Sequence, residues 1–260
     1  MSSSAAEAPL FAVEGLSVRY GGFQALRDVS WSVAAGRILG VIGPNGAGKS
    51  TCFMAATNMT PHSGRLRLDG ADVTQVRAHK LPRLGLRRTF QQNAFFGGMS
   101  VLRNMTGALM DQTPSSLAGS VFLPWVQSRQ QQRIEAQARQ HLLRYEIPAP
   151  LHERLPGELS YGAQRMLSIA IATSAGARAV LLDEPAAGLG GPDMLALRRL
   201  LMRMRAEGLA IVLVEHHMDL VMELADEVVV IETGEVIGRG SPAQVQADPR
   251  VLEAYLGKAA

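Results

Sequence analysis

At 260 residues, with 47% apolar and 19% charged side chains, the chain can bury one large core beside a smaller companion unit and lies far from a disordered composition. A formal charge of +3 is too small a bias to argue for nucleic acid as a partner, and a single cysteine, Cys52, excludes an internal disulfide and a cysteine-cluster metal site. No apolar run approaches the ~18 residues needed to cross a bilayer, and the start "MSSSAAEAPL" lacks the regions of a secretory signal, so a cytoplasmic protein is expected.

The first ordered pattern is "LFAVEGLSVRYGGFQALRDVSWSVAAGRI", in which apolar and polar residues alternate between glycine breaks, as in antiparallel strands. "ILGVI" (Ile38–Ile42) is apolar throughout, which predicts a strand buried on both faces. It runs directly into "GPNGAGKS". Those residues, Gly43, Pro44, Asn45, Gly46, Ala47, Gly48, Lys49 and Ser50, with Thr51 after them, fit the G-x-x-x-x-G-K-[ST] phosphate loop between a strand and a helix. The glycines let backbone N–H groups curve around phosphates and the helix start adds its positive end. Lys49 would reach the β and γ phosphates, and the Ser50 hydroxyl would bind Mg²⁺. Buried in the same helix, Cys52 reads as a packed thiol rather than a redox sensor.

Between Val73 and Ile134 the only acid is Asp111, against eight basic residues that include Arg87 and Arg88; a solvated face is the ordinary reading. From Asn93 to about Arg165 the pattern turns helical, with "QSRQQQRIEAQARQHLLRY" and several Pro or Gly breaks, which predicts a helical subdomain inserted into a sheet domain. "VFLPWV" (Val121–Val126) reads as core or as a contact near a membrane, and His62, His79, His141 and His152, which lack metal spacing, read as surface or capping groups. "LSYGAQR" (Leu159–Arg165) looks like a glycine turn opening a helix.

"AVLL" and "LAIVLV" are two further buried runs, separated by Leu197, Leu200, Leu201 and Met204 at helical spacing: a strand, helix, strand unit of a parallel sheet. The first ends in Asp183 and Glu184, at the edge where parallel sheets bind ligands. Asp183 would hold Mg²⁺, and Glu184 would orient and deprotonate an attacking water. "EVVVIETGEVIGRG" predicts a hairpin turning at Thr233 and Gly234, and "SPAQVQADPRVLEAYLG" a helical tail with Ser241 and Asp248 as N-caps.

Together these motifs resemble the ATP-binding-cassette (ABC) ATPases over nearly the whole chain. "GPNGAGKS" resembles the Walker A motif, "AVLLDEP" the Walker B motif and "LSYG" the family signature "LSGG"; Gln91 in "RTFQQ" falls at the Q-loop, His216 in "VEHHM" at the switch histidine, and Tyr20 in "VRYGG" at the aromatic that stacks on adenine. The resemblance implies a P-loop (RecA-like) α/β core with an antiparallel β subdomain and a helical insert, divided as 1–92, 93–165, 166–240 and a tail at 241–260. It also implies ATP and Mg²⁺ as ligands, with Gln91 joining Ser50 and Asp183 at the metal and Glu184, Gln91 and His216 serving catalysis. Ser160 and Gly162 would cap the nucleotide held by the P-loop of a second ATPase domain.

Within the family, "LSYG", "DEPAAGL", "VEHHM" and "VLEAYLG" look like the ATPase subunits of branched-chain amino-acid importers. Membrane permease subunits, a second identical or different ATPase and a solute-binding protein are then the implied partners, on the inner face of the membrane. The lipopolysaccharide-export ATPases are the alternative among transport ATPases, and a soluble non-transport ABC ATPase acting on nucleic acid or ribosomes is the alternative of another class. A small-molecule P-loop kinase would leave "LSYG" and His216 without a purpose. The chain departs from the family pattern at Ala163, where the signature has glutamine, and at Gly190, where the D-loop has aspartate.

Overall fold

A computed structural model describes residues 8–89, 94–110, 124–174 and 176–256, with the backbone alone for 124–128 and 256. Gln91 and the first half of "VFLPWV" lie outside the described residues, and the side chains of the second half do too. The chain divides into two compact units. The first takes in everything up to Arg88, Arg178–Ala186 and Leu201 onward; the second takes in Thr89–Ala177 and Ala187–Leu200.

The first unit contains two sheets. Strands β1 (Pro9–Tyr20) and β2 (Phe23–Ala34) form the long hairpin that the alternating pattern predicts, and they join an antiparallel sheet with β4 (Ser63–Leu68) and β5 (Ala71–Asp72). Inward positions carry Phe11, Leu16, Leu26 and Trp31, all nearly inaccessible, with the Phe11 and Trp31 rings edge to face at 5.5 Å. The second sheet has the order β10-β9-β3-β8-β7-β6. Here β3 is Ile38–Ile42, β6 Leu86–Arg88, β7 Ala179–Asp183, β8 Ala210–Val214, β9 Glu227–Glu232 and β10 Glu235–Gly240. All neighbours are parallel except β9 and β10, the predicted hairpin, whose two turn residues Thr233 and Gly234 both have positive φ, 46° and 81°.

Every residue of β3, β7 and β8 is buried, which is why their sequences run apolar without alternation. The register brings their ends level: Val41 and Asp183 both lie opposite Val214. Whatever follows those strands therefore emerges on one edge of the sheet. Helix α1 (Lys49–Ala56) packs Cys52 and Phe53 into the core between the sheets.

The second unit is helical. Helices α2 (Val101–Met110), α3 (Pro124–Arg144) and α4 (Tyr161–Ala172), with the Gly191–Leu200 portion of α5 (Gly191–Ala206), bury Val101, Met105, Ala138, Leu142, Leu167 and Ile169. The Tyr145 and Thr173 hydroxyls are hydrogen-bonded inside it. The histidines read as surface or capping groups divide: His152 is buried, while His141 meets a last-turn carbonyl of α4 as a cap does. His152 is 1% exposed, with Nε2 bonded to the Ile147 carbonyl, and His141 stacks on Tyr145 and bonds the Ala170 carbonyl; burial lowers its basicity. His152 closes a loop against a carbonyl and His141 joins α3 to α4, so both rings are part of the packing. The remaining elements are α6 (Met218–Leu224), α7 (Pro242–Ala247) and α8 (Pro249–Leu256). Ser241 caps α7 in a reciprocal pair with Gln244, and the Asp248 carboxylate accepts from the Arg250 N–H at the start of α8.

Candidate active site

The loop that leaves β3 needs its glycines for two different reasons. Gly43 and Gly48 have φ of 153° and 103°, and a Cβ on either would strike a backbone oxygen, that of Ile231 at 2.0 Å or of Ala25 at 2.9 Å. Those two positions are packed from behind. Gly46 also has positive φ, 79°, yet a Cβ there would meet nothing within 4 Å. Its backbone borders open space, as a cradle for a ligand requires. One bond ties the loop to the β9–β10 turn and a second ties that turn to β2: Gly234 N–H donates to the Ala47 carbonyl at 2.9 Å and Arg27 N–H to the Gly234 carbonyl at 2.8 Å.

Lys49 is buried, and its ammonium donates to the carbonyls of Gly43 at 2.7 Å and Pro44 at 3.0 Å. Burial pulls its pKa below the usual lysine value, and the carboxylates of Glu184 and Asp183 pull it back up. Residues far apart in the chain thus share one electrostatic neighbourhood. Ser50 is exposed at the start of α1.

At the end of β7, Asp183 is buried and paired with Arg88 at 2.9 Å, both side chains at 10% exposure or less. Arg88 also lies over the Phe53 ring. The solvated basic face expected from the sequence therefore does not extend to Arg88. Glu184, next along, has φ of 47°, a conformation uncommon for a non-glycine residue, and its N–H donates to the Val214 carbonyl at 2.9 Å. That backbone turn directs its carboxylate to His216, whose Nε2 lies 2.8 Å from Oε1 of Glu184. A carboxylate bonded to an imidazole beside a buried ammonium can accept a proton and hold it near an anionic ligand.

Glu215, the residue before His216, carried no expectation. It is 1% exposed; its carboxylate accepts from the Ala186 N–H at 2.6 Å, the His216 N–H at 3.1 Å and the His217 N–H at 3.4 Å. Burial raises its pKa above the usual carboxylate range while those N–H groups pull it down. An acid closing an apolar strand just before a histidine was the only available signal. Tyr20 is half exposed at the end of β1, and its hydroxyl bonds Thr60 at 3.2 Å.

In the second unit, Ser160 caps α4 by accepting from the Ala163 N–H at 3.2 Å. Tyr161 is exposed on one side and bonds Arg165 through its hydroxyl, while a Cβ on Gly188 would meet its ring at 3.1 Å. Gly162 is buried, and a Cβ there would collide with the Asp193 carboxyl at 2.2 Å. Gly190 faces open space.

A family model described as "ABC transporter" matches residues 26–187, which takes in the phosphate loop, the signature turn and the two carboxylates, Asp183 and Glu184, at the end of β7. The chain belongs to the ABC transporter family. A second model, "Branched-chain amino acid ATP-binding cassette transporter", matches residues 235–260 of this ABC ATPase. The high-affinity branched-chain amino acid transport ATP-binding protein BraF of Pseudomonas aeruginosa is 36% identical over 254 residues, covering 96% of the chain and 99% of that protein. The lipopolysaccharide export system ATP-binding protein LptB of Acidithiobacillus ferridurans is 31% identical, covering 89% of the chain and 90% of that protein. A nucleotide-free ATP-binding cassette from an ABC transporter has the same fold at a TM-score of 0.82 and 28% identity, covering 96% of the chain and all of that structure. The α/β fold expected from the P-loop resemblance is therefore the fold observed, and ABC ATPases of this family and fold hydrolyse ATP.

Proposed function

We propose that the chain is the ATP-hydrolysing subunit of a multi-subunit importer for branched-chain amino acids or a closely related small solute. The observation that carries the hydrolytic part is the convergence of Lys49, Asp183, Glu184 and His216 at one sheet edge. The solute class is supported by the match of residues 235–260 and by the greater identity and coverage of BraF than of LptB.

In this reading Gly43–Gly48 bend around the phosphates, and the space beside Gly46 is where a phosphate fits. Lys49 leaves its loop carbonyls for the β- and γ-phosphate oxygens. Tyr20 stacks on the adenine, and Thr51 completes the first turn of α1. The donors available for Mg²⁺ are hard oxygens: the Ser50 hydroxyl, the Asp183 carboxylate that also holds Arg88, and Gln91. That set fits an ion that keeps several waters and binds few protein ligands. When bound there, Mg²⁺ would supply positive charge against the anionic phosphates. Glu184 orients the attacking water and takes its proton; the Pγ–O bond breaks to release ADP and phosphate. His216 holds the Glu184 carboxylate in place until then.

Ser160 and Gly162 act in trans, on the nucleotide of a second ATPase subunit, identical or different. Closure of that dimer drives permease subunits supplied with solute by a binding protein. Among the described residues no helix is long and apolar enough to cross a membrane. In this reading the permease holds the chain at the inner face. Reconstitution of the chain with its permease in proteoliposomes tests the reading. ATP-dependent accumulation of leucine, isoleucine or valine is expected, with hydrolysis indifferent to RNA, DNA and ribosomes. Hydrolysis stimulated by nucleic acid without any solute uptake would sink it.

A further inference from the structure

We propose that Glu215 is a positioning residue of the hydrolytic site, whose carboxylate holds the backbone of Ala186 and of His216 in the arrangement that lets the His216 ring meet Glu184. The proposal rests on the hydrolytic roles given above to Glu184 and His216.

The parallel ladder between β7 and β8 ends with the Glu184 N–H on the Val214 carbonyl. Beyond that bond two strands diverge, and the next N–H groups need acceptors. Ala186 is fully buried, out of reach of water, and an unpaired N–H there would be costly. The Glu215 carboxylate supplies both sides of the gap: Oε1 takes the Ala186 N–H at 2.6 Å, and Oε2 takes His216 at 3.1 Å and His217 at 3.4 Å. The first of these segments carries Glu184 two residues earlier, and the second carries the switch histidine itself. One side chain therefore fixes the separation of the two chain segments whose side chains form the 2.8 Å contact between His216 Nε2 and Glu184 Oε1.

An ionised carboxylate suits the position because both oxygens only accept. Glutamine is nearly the same shape, but its amide NH₂ would face either the Ala186 N–H or the pair from 216 and 217. Whichever side it faced would lose its bond. Among the described residues the carboxylate is bonded to backbone N–H groups and not to the phosphate loop, so its effect on chemistry passes through backbone placement. A small error in such placement is enough to matter, since a misplacement of ~1 Å can cost ~100-fold in rate.

The test is a double-mutant cycle on the full-length chain: Glu215→Gln and His216→Ala, singly and together. It is read by single-turnover hydrolysis of radiolabelled ATP with the chain in excess and by affinity for a fluorescent ATP analogue. Glu215→Gln is expected to slow turnover by ~10- to 100-fold while nucleotide affinity stays within about threefold, and to add less than about twofold when His216 is already alanine. Losses that multiply fully across the two sites, or affinity that falls in step with turnover, overturn the proposal in favour of a general structural role. If Glu215→Gln does not fold, Glu215→Asp, which keeps the charge but is one methylene shorter, enters the same cycle with the same expectations. Should His216→Ala alone leave turnover unchanged, the hydrolytic reading of His216 fails first and takes this proposal with it; loss in His216→Ala with full multiplication sinks Glu215 alone.

Discussion

Two glycine turns in this chain open a helix, and their settings differ. Behind the phosphate loop, Gly43 and Gly48 press against backbone from β9 and β2, Lys49 is buried, and the carboxylates of β7 act on its charge. At the signature turn, Gly162 packs against Asp193 and Tyr161 against Gly188, while Ser160 is exposed and spends its hydroxyl on its own helix. The loop has a cation, two acids and a histidine gathered around it. The turn has backbone N–H groups and a hydroxyl at a helix start, which can grip an anion but cannot move a proton. The titratable groups and the exposed helix start are thus divided between the two units.

The sharpest way to break that division is to attack the chemistry and the grip of the phosphate side separately. Lys49→Ala removes the charge facing the phosphates and should abolish most ATP affinity. Glu184→Gln keeps the shape but removes the proton acceptor, and should retain binding while slowing turnover by ~10²–10⁴-fold. Nucleotide titration beside phosphate release separates the two, and an equal loss of binding in both variants would contradict the roles assigned.

How much of this division could be read from residues alone depended on distance along the chain. The loop, the apolar strands β3, β7 and β8, and the Thr233–Gly234 hairpin were legible because each is a contiguous pattern with a local physical cause. Arg88 was not, since an arginine inside a basic run looks solvated, and its buried partner Asp183 lies 95 residues on. Glu215 was missed for the same reason: Ala186, its shortest contact, is 29 residues back. His152 was misread because burial of a polar ring depends on a carbonyl that only the closed loop supplies. Periodicity reports which face is inward, not which polar group waits there.

A second test turns on whose nucleotide the signature turn serves. Ser160→Arg places a bulky cation at an exposed helix start and gives up the cap that the Ser160 hydroxyl provides to the Ala163 N–H. Affinity of the single chain for ATP should stay within about twofold, because Lys49 and the loop are untouched. ATP-driven dimerisation in the Glu184→Gln background should be lost, a step that removes about 2–3 kcal/mol or more if the turn contributes even one charge-assisted bond. Loss of ATP binding by the monomer would return the turn to the chain's own site and end the comparison drawn here.

The smallest expected effect concerns Gly190, where the family has an aspartate. Gly190 is free of a positive φ, and among the described residues a Cβ there would meet nothing within 4 Å, so the first atom of an added side chain brings no strain. Its carbonyl accepts from the Asp193 N–H at 3.1 Å, which sets residue 190 at the start of α5, where an aspartate is a favoured cap. Asp193 in the first turn repels the added charge and offsets part of that gain. If the family's aspartate works across the dimer, restoring it adds an interface hydrogen bond of about 1 kcal/mol and raises turnover by about fivefold. Gly190→Asn separates the two effects, because it caps the helix without the charge. A rise in melting temperature in both variants with faster turnover in Gly190→Asp alone would place the benefit at the partner. Unchanged turnover in both, with raised melting temperature, would mean that Asp193, already seated against Gly162, performs the task that residue 190 has in the family.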